Sequence, residues 1–230
     1  MEPRHAWSVV LALVVALFGV PCGVIFLLAA SLSPLPGTAP GDPALPLAVP
    51  AGVLAADQGA SAVAPAGCVV PVAVLLAVGE VESGNAAGRA ISAAGDVSPP
   101  IIGPALDGSI PGTAIIADTD GGAMDGDPVW DHAVGFLQVL PSTWRRWAPA
   151  GADPQNLFDA SRTAVTVLCQ PARDLTDPAA LDAALRAYND SSAYVAAVEG
   201  WAAAYRAGIE RASAAVTQSA SVSRNPGSMP

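Results

Sequence analysis

VAVLLAVGEVES, residues 72–83, decides how the rest of the chain reads. It follows Pro71, a residue suited to a first helical turn, where a missing N–H costs nothing. The stretch runs on without a breaker except Gly79, which predicts a helix over Val72–Ser83. That helix is apolar nearly all round, so it must be wrapped by other elements. Glu80 and Glu82 stand at its end. Two residues apart on a helix, they point to roughly opposite sides and do not face one site together. Glu82 shares a face with Val78 and Leu75. Desolvation there raises a carboxyl toward neutrality, the range in which a general acid works. On the residues alone, capping or solvating the helix end remains the competing account of either glutamate.

Downstream, a helix opens near Pro141-Ser142-Thr143 and runs through Trp147. A second covers Leu157–Gln170, with Asp159 and Arg162 near its start and Pro171 as its stop. Two more cover Pro178–Tyr188 and Ser191–Ser213. Residues 84–131 are rich in Gly, Pro and Asp and read as a long irregular segment, unusual inside a compact domain unless it serves a function. No convincing alternating strand appears, so the fold class is mainly α. The folded domain is placed at 67–213. Residues 32–66 carry Pro and Gly every few positions and read as an extended spacer. Residues 214–230 form a tail, and its Ser-rich part, Thr217–Pro230, is expected to be disordered.

Residues 1–31 read as an address. Arg4 precedes an almost unbroken apolar run from Trp7 to Ala30. As a helix, about 24 residues span roughly 36 Å, enough for a bilayer core. A signal-anchor transmembrane segment is the expectation, with the rest of the chain outside the cell membrane. Cleavage near Ala29, Ala30 and Ser31 is the alternative, and would make the protein secreted. Cys22 follows Pro21 rather than a small residue, unlike a lipoprotein cleavage site.

Composition removes several functions. The chain has 230 residues, a formal charge of -10 and no lysine. That balance argues against a general nucleic-acid footprint and against binding to anionic lipid surfaces. Apart from His5, only His132 is available, which disfavours a Ser-His-Asp triad, a zinc site or a Cys-His nucleophile. Without lysine there is no Gly-Lys phosphate loop. Chemistry run by carboxylates, without a cofactor, remains. Given export, Cys68 and Cys169 could close one loop of about a hundred residues, worth about 4–5 kcal/mol in the chain-entropy picture. Two buried thiols are the other possibility.

Three stretches appear in order: VESGN at 81–85, AVGFLQVLPSTW at 133–144 and AYNDSSAYVAAV at 187–198. Together they resemble the lytic transglycosylase family, with its goose-type-lysozyme-like domain. The resemblance covers about Val72 to Val198. It implies that Glu82 is the catalytic acid and Ser83 the residue beside it. It also implies that Gly135 and Gln138 lie near the cleft, that Pro141, Ser142 and Thr143 open the next helix, and that Tyr188-Asn189 form the Tyr-Asn pair. Phe136-Leu137 and the insertion over 84–131 depart from the family's pattern, which bears on the subsites. The implied partner is the peptidoglycan glycan strand, with Ser83, Gly135, Gln138, Tyr188 and Asn189 around the sugar. The implied reaction cuts the bond between N-acetylmuramic acid and N-acetylglucosamine and closes a 1,6-anhydro ring. A hydrolytic muramidase and a non-catalytic wall-binding domain remain open as alternatives.

DTDGGAMDGDPVWD, residues 118–131, opens like a calcium loop, but Val129 stands where the final glutamate belongs. Asp beside Gly at turns predicts local capping instead. Asp131 and His132 read as solvated loop residues with the alternative of lining a groove. Trp130, Trp144 and Trp147 read as core.

Overall fold

A computed structural model describes residues 49–223. The expected membrane segment lies outside the described residues. Among the described residues no helix is long and apolar enough to cross a membrane.

Among the described residues, six helices and one two-stranded hairpin make a mainly helical domain. Helix α2, Val72–Ser83, is its axis, with Ala73 to Gly79 buried without interruption. Its end is set by Gly84 in the left-handed conformation (φ 62°), whose N–H returns to the Glu80 carbonyl, while Asn85 N–H returns to Gly79. Helix α3 spans Pro141–Trp147 and α4 spans Leu157–Leu168. The Asn156 side chain caps α4, accepting from Phe158 and Asp159 N–H groups. Helix α5, Pro178–Tyr188, is capped in the same way by Asp177. Helix α6, Ser192–Ser223, packs along α2 and α5. The hairpin pairs β1, Ala90–Ile91, with β2, Val97–Ser98, in antiparallel register.

Three expectations are corrected. The spacer 32–66 is not extended over its second half, because Ala51–Ala62 form helix α1, packed on α4 and α2. Its buried residues are Val53, Ala56, Asp57 and Ala60. That is a helical stripe, but a weak one in sequence, since two members are alanine and one is charged. The stripe works because α4 opposes it with small buried residues, Ala160, Ser161 and Ala164. The tail is helical as far as Ser223, since no proline interrupts the Ala-rich sequence before Pro226. The irregular segment also includes the β1–β2 hairpin, whose two-residue strands are too short to show an alternation.

Cys68 and Cys169 are joined by a disulfide, with Cα atoms 6.0 Å apart. The bridge ties the start of α2 to the end of α4. Beside it Val69 N–H donates to the Arg173 carbonyl (2.7 Å) and Leu175 N–H donates to Val69 (2.9 Å).

Asp57 is fully buried. One carboxyl oxygen accepts from the Ser161 hydroxyl at 2.6 Å, and the other, Oδ2, has no hydrogen-bond partner among the described residues. Burial pushes this carboxyl up to about 7, against the smaller lowering effect of the Ser161 hydrogen bond. The folded state therefore holds a proton that the unfolded chain releases near pH 4. Stability from this group is full below about pH 4 and declines as pH rises to about 7. Asp57→Asn is expected to raise stability at pH 8 by ~2–4 kcal/mol, with little gain at pH 4.5. Thermal unfolding at both pH values checks this, and equal effects at both would contradict it.

Candidate active site

The end of α2 meets a tight loop. Val134 and Val139 exchange two backbone hydrogen bonds of 3.0 Å, so residues 135–138 form a narrow turn. Three anchors hold that turn. Ser83 donates its hydroxyl to the Phe136 carbonyl at 2.7 Å and accepts from Ala86 N–H at 3.1 Å. Tyr188, at the end of α5, donates to the Leu137 carbonyl at 2.7 Å. Gly135 N–H donates to Ile101 at 2.9 Å. Gly135 has φ 77°, and a Cβ there would collide with the Pro154 carbonyl. Only glycine satisfies both the backbone angle and that approach. Gln138 is also left-handed (φ 48°), and its Nε2 donates to the Gly135 carbonyl at 2.8 Å.

A small concave pocket, open to solvent, lies between these parts. Glu82, Gln138, Val139, Leu140, Thr143, Val167 and Tyr188 line it. Among the described residues Glu82 is the single carboxylate lining it, and no arginine or histidine does so. Three sequence-derived candidates therefore meet at one cavity: Glu82, Gln138 and Tyr188. Ser83 and Gly135 shape the turn behind it. Asn189 is buried beyond the end of α5, with its side-chain oxygen accepting from Ser191 N–H at 3.1 Å.

Burial pushes the Glu82 carboxyl up to about 8, and a hydrogen bond with Tyr194 pulls it part of the way back. By surface area Glu82 is only half-buried, opening onto the pocket, whereas the protein packed around its carboxyl is that of an interior group. The packing around the carboxyl governs its proton affinity. Glu80 turns elsewhere, as its spacing requires. It accepts from Tyr205 hydroxyl and Asn85 Nδ2, both at 2.9 Å.

Tyr194 is the functional neighbour missed in the sequence. It lies in the 187–198 stretch, is buried, and stacks parallel to Tyr188 with ring centres 6.4 Å apart. Its spacing from Tyr188 carried no signal that it reaches the Glu82 carboxyl. Val167 was equally invisible as a wall residue, because it belongs to the apolar face of α4.

The acidic loop behaves as its turn chemistry predicts. Asp118 accepts from the N–H groups of Asp120, Gly121 and Gly122, and Asp120 from those of Gly122 and Met124. Asp131 is a correction: it is fully buried, accepting from the N–H and hydroxyl of Thr119. Oxygens of Asp118, Asp120 and Asp131 come within 4.8 Å of one another, which would suit a hard cation, but all three carboxylates already hold the loop's own donors. His132 is half-buried, with Nδ1 at 2.6 Å from the Gly103 carbonyl and Nε2 at 3.2 Å from Asp127. Of the tryptophans, Trp144 is core, whereas Trp130 and Trp147 are half-buried.

No family model, no curated protein and no solved structure matches this chain.

Proposed function

We propose that this domain is a lytic transglycosylase with a goose-type-lysozyme-like fold, acting on peptidoglycan glycan strands outside the cell membrane, to which residues 1–31 tether it. The observation that carries this reading is Glu82, a lone carboxylate in an open pocket with its proton affinity raised to the neutral range. Ordinary glycosidases divide acid and base or nucleophile work between two carboxylates. A pocket lined by one favours a reaction in which the substrate supplies its own nucleophile.

In that reaction protonated Glu82 gives its proton to the glycosidic oxygen as the bond from C1 of the muramoyl sugar breaks. The carboxylate left behind takes the proton from the C6 hydroxyl as that oxygen attacks C1. The 1,6-anhydro ring closes, Glu82 is again protonated, and no water or cofactor is consumed. Gln138 and Tyr188 flank the sugar from the walls. Tyr194 holds the Glu82 carboxyl from behind. Ser83 and Gly135 keep the Gln138 turn in place, and Asn189 fixes the chain after Tyr188.

The pH profile tests the role of Glu82. The reactive form is the protonated one, so turnover is expected to be lost as pH rises through about 8. The Tyr194 hydrogen bond favours the ionised form, so Tyr194→Phe should move this alkaline limb to higher pH. A limb that stays in place in the variant, or moves down, counts against the assignment.

A further inference from the structure

Helix α3 brings one wall of the pocket to the surface. Thr143 lines the pocket, and α3 continues for one more turn through Arg145, Arg146 and Trp147. At about 100° per residue, Arg146 and Trp147 lie within about 60° of Thr143 around the helix, whereas Arg145 points about 160° away. Arg146 and Trp147 therefore extend the pocket face, and Arg145 does not. Both arginines are exposed. Among the described residues the ion pairs are His132–Asp127 and Arg186–Asp182, so neither Arg145 nor Arg146 has an ionic partner within the domain. The Arg146 guanidinium instead stands 4.8 Å from the centre of the Trp147 ring. Stacking on an indole fixes the plane of the guanidinium and leaves its edge donors free for a carboxylate. Among the described residues only Arg186 of the arginines is in an ion pair, so what sets Arg146 apart is its bracing on Trp147 at the extended wall of the pocket. A position in the last turn of α3 favours a cation through the helix dipole, but it does so for both arginines alike.

We propose that Arg146, braced on Trp147, binds a carboxylate of the peptide stem carried by the muramoyl sugar, and so makes the pocket selective for peptide-bearing strands. This rests on the glycan-cleaving reading above and names a determinant of its substrate. A bare glycan strand lacks the stem's carboxylates: removing the peptide leaves only the carboxylate of the lactyl arm, held close against the muramoyl ring and not out along a stem.

The test uses the full-length protein and two substrates, both first freed of phosphate-linked polymers. One is peptidoglycan with its stem peptides, and the other is the same glycan after the peptides have been removed enzymatically. The readouts are KM and kcat for wild type, Arg146→Gln, Arg146→Lys and Arg145→Gln, with binding of each protein to both materials. In Arg146→Gln the ratio of kcat/KM on peptide-bearing to peptide-free strands is expected to fall about three- to tenfold, mainly through KM. Arg146→Lys should recover part of that ratio, because it keeps the charge but not the planar fork. Arg145→Gln should leave the ratio at the wild-type value, and added salt should shrink the Arg146 effect. An unchanged ratio in Arg146→Gln, or an equal fall in Arg145→Gln, overturns the subsite while leaving the glycan-cleaving reading intact. A wild type that neither binds nor cuts either material overturns both.

Discussion

Glu82→Gln is expected to lower glycan cleavage by about 10²–10⁴-fold, with no loss of fold. The substitution keeps the size of the side chain and its capacity to accept the Tyr194 hydrogen bond, but removes the titrating proton. The fold should tolerate it well. Because burial raises the Glu82 carboxyl to about 8, the folded protein retains a proton there that the unfolded chain gives up near pH 4. Stability from Glu82 is thus full below that pH and declines as pH rises toward about 8. A neutral amide escapes that penalty, so at pH 7 the variant should melt no lower than the wild type. Loss of activity with retained or higher stability separates a chemical role from a structural one. Glu80 provides the contrast. Its carboxyl links Asn85 and Tyr205 behind α2, so Glu80→Gln should affect stability more than it affects the chemistry.

Gly135→Ala is expected to have the second-largest effect, a loss of about 2–4 kcal/mol in stability together with most of the turnover. Two costs add. An L-residue at φ 77° leaves its favoured regions, at about 1–2 kcal/mol. The new methyl also meets a backbone carbonyl, that of Pro154, which cannot swing away like a side chain. The turn carrying Gln138 must shift, and with it the wall opposite Glu82. Thermal unfolding and turnover measured on the same preparation check this. A variant with wild-type values of both would show that the turn is not held as described.

How much of this was legible in the residues differs from element to element. Helix α2 could be read because a long apolar run after proline has few other outcomes, and its end placed Glu82. Helices α4 and α5 could be read from their breakers and amphipathic faces. Helix α1 could not. Its buried stripe of Val53, Ala56, Asp57 and Ala60 is small and partly charged, and only the matching small face of α4 makes it a packing surface. A buried aspartate without a cation runs against every expectation from composition. At the site, Glu82, Gln138 and Tyr188 were each proposed, but not that the hydroxyls of Ser83 and Tyr188 would be turned to the carbonyls of Phe136 and Leu137. Sequence order shows which residues recur, not which partner a hydroxyl takes. Tyr194 belongs to the same class of omission, because its value lies in a hydrogen bond across two helices that no local spacing encodes.

The central claim is that one carboxylate drives cleavage without consuming water. The measurement that tests it most directly is digestion of purified peptidoglycan in heavy-oxygen water, followed by mass spectrometry of the muramoyl ends. The account predicts ends lighter than a hydrolysis product by one water, carrying no heavy oxygen, and absent with Glu82→Gln. Reducing ends that carry heavy oxygen would contradict it and make the protein a hydrolase. Intact strands after exhaustive digestion across the pH range would contradict it in favour of a domain that binds the wall without cutting it.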